Sequence, residues 1–374
     1  MRDFETHWFK SSDGVHVCHC IIMRPDGEPR GVLQISHGMC EYIERYTDFM
    51  SFMADNGFVV CGNDHLGHGK TAEMPDELGY FSPKDGWLNA VKDLRRLTVI
   101  MKKQYPDLPF FMLGHSMGSF LARAYAVKYG RDLNAFIFMG TADGFEAAVL
   151  DIEKQSEGDP KLVEKILGGK EKKIGAAAIT AMLATADGIK KVRGEYYRSP
   201  LLAKMGFGKY NDRIEDPKTG YEWISHDKDI VEKYTADPLC NYSFTVNGYI
   251  NLASVLWYIS DDRWYQNIPK DIPILLMSGL EDPVGNYGAA VEIVYKRLKD
   301  YQADVSIKLY EGCRHELLNE TERANIYLDV LDFFTSNLVR GKKSDEEQGL
   351  TEENVEAQTD TAAEEKAPDT AAEG

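Results

Sequence analysis

Phe110-Phe111-Met112-Leu113-Gly114-His115-Ser116-Met117-Gly118-Ser119-Phe120-Leu121-Ala122-Arg123-Ala124-Tyr125-Ala126 is the stretch on which the fold turns. Four apolar residues of buried-strand type run into Gly-x-Ser-x-Gly, and a helix-forming segment follows. In that context the five residues read as a nucleophile elbow, a turn so tight that both flanking positions need glycine. The turn lifts the Ser116 hydroxyl to the positive N-terminal end of the helix, where developing negative charge is favoured. Ser116 is therefore the candidate nucleophile; the pentapeptide without its strand and helix would be only a glycine-rich turn.

Working outward, short apolar runs recur at Gly31–Ser36, Phe58–Gly62, Ala135–Met139, Ile274–Ser278 and Val305–Tyr310. Helical-period segments lie between several of them, at Tyr46–Asn56, Gly86–Tyr105, Phe120–Tyr129 and Tyr287–Lys299. Strand and helix alternating in this way predict an α/β fold with a mostly parallel central sheet and helices on both faces. Phe4–Lys10 and Val15–Met23, separated by Ser-Ser-Asp-Gly, predict a β-hairpin in front of it. The alternation breaks once, because about 130 residues separate Gly140 from Ile272 where a crossover needs roughly 30. The excess is rich in Ala, Lys, Glu, Leu and Met over Phe145–Gln155, Lys161–Leu167 and Ile174–Ala186, which predicts a helical cap. The expected organisation is a core in two parts, 1–142 and 241–340, a helical cap insertion at 143–240, and a tail at 341–374.

A serine needs a base to take its proton. In this architecture the chain order is nucleophile, acid, histidine, and the one histidine after the insertion is His315, in a loop just past the last apolar strand. The acid must fix the imidazole tautomer and stabilise the imidazolium. Asp282, at the carboxyl end of the strand before it, is the choice, with Glu281 as its competitor; Asp271 lies at the wrong end of that strand. Two backbone donors should face the oxyanion, one from Met117 after the nucleophile and one from the loop after the first parallel strand, assigned to Met39 in His37-Gly38-Met39. Asp64-His65-Leu66-Gly67-His68-Gly69 has two histidines three apart, but no further cluster at ligand spacing, so it reads as a loop after a strand and no metal is expected.

The chain of 374 residues carries 43 Lys plus Arg against 60 Asp plus Glu, a formal charge of −17, and has no basic stripe. Such a body repels phosphate backbones, so nucleic acid is excluded as a partner. No window is apolar enough to span a membrane, the N-terminus lacks the apolar centre of a signal peptide, and a cytoplasmic setting is the expectation. Six cysteines without a Cys-x-x-Cys pair fit reduced thiols. Residues 341–374, with 11 acidic and 3 basic side chains and no aromatics, should be a disordered acidic tail.

Taken together, His37-Gly38-Met39 with Glu41 and Arg45-Tyr46, Asp64-His65-Leu66-Gly67-His68-Gly69, Gly114-His115-Ser116-Met117-Gly118, Gly279-Leu280-Glu281-Asp282-Pro283 and Gly312-Cys313-Arg314-His315-Glu316 resemble a known group. It is the serine α/β-hydrolases, and within them the monoacylglycerol lipase and lysophospholipase group labelled serine aminopeptidase S33-like or hydrolase-4. The resemblance runs from about residue 5 to 340 and is weakest in the cap. It implies the α/β-hydrolase fold, no cofactor, and hydrolysis of single-chain acyl esters through an acyl-serine. Two departures stand out. Leu66 occupies a position where the group usually has arginine, and His37-Gly38-Met39-Cys40-Glu41 differs from the His-Gly-Gly-Pro-Gly loop of proline-releasing peptidases, which tells against aminopeptidase activity. The other readings are a short-chain carboxylesterase, an acyltransferase or peptidase using the same triad, and a non-catalytic binding protein on this fold.

The partner expected is a small-molecule acyl ester or lipid. Residues 161–204 carry a net +6 on an acidic protein. One reading is transient contact of the cap with a membrane surface, with Ala176-Ala177-Ala178-Ile179 and Met182-Leu183 lining an acyl path. The other is solvated charge on helices whose apolar residues pack onto the sheet. The pattern leaves both open, and it leaves the oligomeric state unassigned.

Overall fold

The computed structural model describes residues 2–145 and 171–339. Eight strands form one sheet in the order β1-β2-β4-β3-β5-β6-β7-β8. The hairpin of β1 (Glu5–Lys10) and β2 (Val17–Met23) pairs antiparallel, and β2 pairs antiparallel with β4 (Phe58–Asn63). The rest is parallel: β4, β3 (Gly31–Ser36), β5 (Phe110–His115), β6 (Ala135–Met139), β7 (Ile274–Gly279) and β8 (Val305–Tyr310).

Strands β3 to β7 are buried on both sides and the edge strand β8 only in part, and successive side chains feed two different cores. Val32, Val59, Phe110, Met112, Phe136, Phe138, Ile274 and Leu276 point to one face, where α2 (Gly86–Gln104), α3 (Met117–Tyr129) and α9 (Ala289–Asp300) pack. Leu33, Ile35, Val60, Phe111, Leu113, Ile137 and Met277 point to the other, covered by α1 (Thr47–Asp55) and α10 (Arg323–Ser336). Gln34 is the polar intruder in β3, and its amide is satisfied: Nε2 donates to the Leu94 carbonyl at 2.9 Å and Oε1 accepts from Thr98 at 2.8 Å.

Between β6 and β7 lie α4 (Glu171–Arg193), α5 (Pro200–Phe207), α6 (Lys228–Ala236), α7 (Val246–Ser260) and α8 (Asp262–Asn267). The helix predicted at Ile174–Ala186 falls inside α4, whereas most of Phe145–Gln155, all of Lys161–Leu167 and the acidic tail lie outside the described residues. Ser199, Asp227, Thr245 and Asp261 accept a backbone N–H at the starts of α5, α6, α7 and α8, as N-caps do. The fully buried Arg123 of α3 fastens this region, donating to the carbonyls of Ala142 at 2.6 Å and Ile259 at 2.9 Å. Ile179, Met182 and Leu183 of α4 pack with Phe145 and with Ala253, Leu256 and Trp257 of α7, helix against helix rather than onto the sheet. Residues Met1–Leu338 form one unit. Among the described residues no helix is long and apolar enough to cross a membrane.

Candidate active site

The connections leave β3 in one direction, through α1 to β4, and return past it, through α2 to β5. Such a reversal opens a crevice at the carboxyl ends of β3 and β5, where open α/β sheets bind ligands. The loop after β3 holds His37-Gly38-Met39, and the turn after β5 holds Ser116.

Ser116 has φ 52° and ψ −125°, a left-handed conformation that costs a non-glycine residue on the order of 1–3 kcal/mol. Its carbonyl accepts from Ser119 N at 2.8 Å, and its own N–H donates to Met139 O at 2.9 Å, so helix and neighbouring strand both hold the strained turn. A Cβ on Gly118 would collide with the carbonyl oxygens of Ser36 and His37, which is why the position after Met117 must be glycine.

His315 and Asp282 come together from the loops after β8 and β7. His315 Nδ1 lies 2.9 Å from Asp282 Oδ2, and both side chains are buried. Asp282 Oδ1 accepts Val284 N–H at 2.8 Å, and Ser278 donates to Oδ2 at 3.3 Å, so the carboxylate is held from both sides. This geometry leaves Nε2 of His315 as the nitrogen that can take a proton. Glu281, the competitor, turns to the segment between β6 and β7 instead, 3.1 Å from His226 Nε2.

The loop after β3 presses against the elbow: a Cβ on Gly38 would fall 3.1 Å from Ser116 Cβ. The Gly38 N–H donates to the Glu41 carboxylate. The N–H groups of Met39 and Met117 make no backbone hydrogen bond among the described residues, which leaves them available as donors. Asp64-His65-Leu66-Gly67-His68-Gly69 folds behind this loop. His37 packs on His65 with ring centroids 4.2 Å apart and on His68 at 5.3 Å, and its Nε2 accepts His65 N–H at 3.0 Å. Burial pushes His65 well below the usual histidine range and His68 down to about 3, so the two are neutral packing elements. Leu66 is buried, and its carbonyl takes His68 Nδ1 at 2.9 Å. Among the described residues no group of three or more His, Cys, Asp or Glu is placed to hold a metal.

Several neighbours carry no sequence signal for their role. Trp223, between β6 and β7, packs against His315 with ring centroids 5.1 Å apart and planes tilted by 43°, and the His115 ring lies 4.7 Å from it. Glu316 N donates to Ile224 O at 2.7 Å, and Arg314 Nη1 donates to the carbonyls of Glu222 and Ser225 at 2.8 and 3.1 Å. The loop carrying His315 is thereby stitched to segment 222–227 of the insertion.

A doubly wound sheet with a serine elbow after its fifth strand and a paired Asp and His after its last two defines an α/β hydrolase. The chain belongs to the Hydrolase_4 family, described as serine aminopeptidase, S33, which matches residues 27–322. It is similar to the monoacylglycerol lipase of Mycolicibacterium smegmatis, 25% identical over 89% of this chain and 97% of that one. Against the human monoglyceride lipase it is 24% identical, with 83% of each chain covered. A highly thermostable carboxyl esterase from Bacillus coagulans, solved with glycerol, superposes with a TM-score of 0.77 at 30% identity, covering 91% of this chain and 100% of that one. The soluble variant of the Saccharomyces cerevisiae monoglyceride lipase, 17% identical over 91% of this chain and 97% of that one, shares the fold with a TM-score of 0.64. The protein is an enzyme, a hydrolase of carboxylic ester bonds.

Proposed function

We propose that the enzyme cleaves single-chain acyl esters of the monoacylglycerol or lysophospholipid type through an acyl-Ser116 intermediate. The observation that carries this reading is the buried Asp282–His315 hydrogen bond beside a serine held in a strained elbow. His315 Nε2 takes the Ser116 proton as Oγ attacks the ester carbonyl carbon. Negative charge gathers on the carbonyl oxygen, where the Met39 and Met117 N–H groups receive it. Collapse of the tetrahedral species breaks the bond to the alcohol, which leaves with the proton from His315. Water, deprotonated by His315, then attacks the acyl-serine and releases the fatty acid, with the proton returned to Ser116. Asp282 keeps Nδ1 protonated throughout and stabilises the imidazolium.

The substrate class rests on the relatives that are named monoacylglycerol and monoglyceride lipases. The cap adds support. On α5, Leu201 and Met205 stand exposed beside Lys204, and Val192 is exposed between Lys191 and Arg193 at the end of α4, an apolar and cationic surface suited to transient contact with an anionic lipid interface. The six cysteines are free and buried, in keeping with a cytoplasmic enzyme. The carboxyl esterase likeness favours a second reading, a short-chain esterase.

Hydrolysis of a p-nitrophenyl ester series from acetyl to palmitoyl, run with and without anionic vesicles, separates the two. The proposal expects rates that rise with chain length, a further gain with vesicles, and loss of all of it in Ser116→Ala. A maximum at the shortest esters with no response to vesicles would replace it with the second reading.

A further inference from the structure

His115 is buried immediately before Ser116, and each of its ring nitrogens faces an acceptor. Nδ1 lies 3.1 Å from Glu41 Oε1, and Nε2 lies 3.2 Å from the backbone carbonyl of His315. Tyr46, whose hydroxyl is also 3.1 Å from Nδ1, spends its own proton on Glu41 Oε1 at 2.8 Å. Glu41 in turn faces donors on every side: the Gly38 N–H, the Tyr46 hydroxyl and Arg45 Nη1 at 2.8 Å. It is a carboxylate with no proton to give His115. With the Tyr46 proton committed to Glu41, a neutral imidazole, which has one N–H, would leave one of its two acceptors facing a lone pair.

The charges around it make the same demand. Arg45 forks onto Glu316, with Nη1 to Oε1 and Nη2 to Oε2 both at 2.8 Å, and Asn319 donates to Glu316 Oε2 at 2.8 Å. One guanidinium against two buried carboxylates leaves a net −1 in a largely buried site. A protonated His115 brings it to zero.

We infer that His115 works as a buried imidazolium that positions three catalytic loops at once, an inference that rests on the proposed roles of Ser116 and His315. Its ring belongs to the nucleophile elbow. Its Nδ1–H holds Glu41, which takes the Gly38 N–H and so shapes the loop that presents Met39. Its Nε2–H holds the backbone of the base itself. Because the cluster is neutral overall, this cation can sit 4.7 Å from the His315 ring with little net field opposing the imidazolium that forms there in turnover. The proton affinity runs the same way. Burial alone would lower it, but the hydrogen bond and charge of Glu41, the charge of Glu316 and the His315 carbonyl raise it above the ordinary histidine value. His37, the other histidine behind the loop, moves oppositely: burial lowers it, and the charge on His115 adds to that.

Nitrogen NMR of protein labelled at histidine tests this without turnover, with His115 assigned by the signals missing in His115→Gln. Both ring nitrogens of His115 should stay protonated at about pH 6.5, where a free histidine is half deprotonated; one bare ring nitrogen there would overturn the inference. The rate profile on p-nitrophenyl butyrate supplies the functional half. Wild-type kcat should fall on the alkaline side with the midpoint of the His115 titration, whereas His115→Gln should lose that limb and turn over on the order of tenfold more slowly, with KM little changed. An alkaline limb that persists in His115→Gln would overturn the positioning role. A neutral His115 in an enzyme that still acylates Ser116 would remove this inference and leave the proposed function standing.

Discussion

Gly140, at the end of β6, has a φ of +58°, and a Cβ built there would lie 3.0 Å from His315 Cε1. The residue leaves space for the His315 ring. Gly140→Ala meets both problems together, the left-handed backbone and the ring, so kcat on a soluble ester should fall on the order of a hundredfold, a misplacement effect, while KM changes little. Unchanged kcat would mean that the ring has room elsewhere. At this scale the sequence was legible where chemistry fixes both residue type and context. Ser116 between glycines, Asp282 after a strand and His315 after the last strand could each be picked out. Gly140 could not, because it acts through His315, far away in the chain. Glu41, Arg45 and Tyr46 were visible only as motif letters, since nothing local says that they share one buried cluster.

Among the elements, segment 222–227 and the loop after β8 act as one piece. The buried Glu320 carboxylate joins them, accepting Arg314 N at 2.7 Å, His226 N at 3.0 Å, Thr321 N at 3.2 Å and the Ser225 hydroxyl at 3.3 Å. Removing it strands several donors. Glu320→Ala should therefore cost about 3–5 kcal/mol in urea unfolding, far more than a surface change. A loss below about 1 kcal/mol would show that water replaces the carboxylate. The strands were the legible elements, because fully buried parallel strands are short continuous apolar runs with turn signals between them. Helix α7 was not. It buries Val246, Tyr249, Ala253, Val255 and Ile259, with Leu252 and Leu256 half-buried, and a helix covered on most sides carries no amphipathic period to read.

Across the whole molecule, acid stability follows from histidines kept neutral. His37, His65 and His68 are fully enclosed, and burial first of all lowers their proton affinity, for His68 to about 3. The unfolded chain binds those protons near 6.5 and the folded chain refuses them, so this contribution to stability is full above that value and is lost as pH falls toward the folded values. Each such histidine lowers stability by up to about 1.4 kcal/mol per pH unit in that window. His115 has the opposite sign, since its raised affinity favours the folded state below 6.5 and fades as pH rises through its folded value. The three outweigh the one, so the melting temperature should drop between pH 6.5 and 5, and His68→Asn should flatten that slope. An identical slope in the variant would mean that His68 protonates in the folded state. The class of fold was legible at this scale because the alternation of strand and helix spans most of the chain, whereas the arrangement of the segment between β6 and β7 was not, because the groups it meets, such as Arg123, Arg297 and the Glu316 N–H, lie far away in the chain.

The central claim is that Ser116 carries the acyl group. Acid-quenched turnover of p-nitrophenyl butyrate, followed by digestion and mass spectrometry, reads it directly. The account predicts a butyryl adduct on the peptide that contains Ser116 and on no other peptide, and its absence in Ser116→Ala. Steady turnover with no adduct on Ser116, or with an adduct on a different residue, would contradict it.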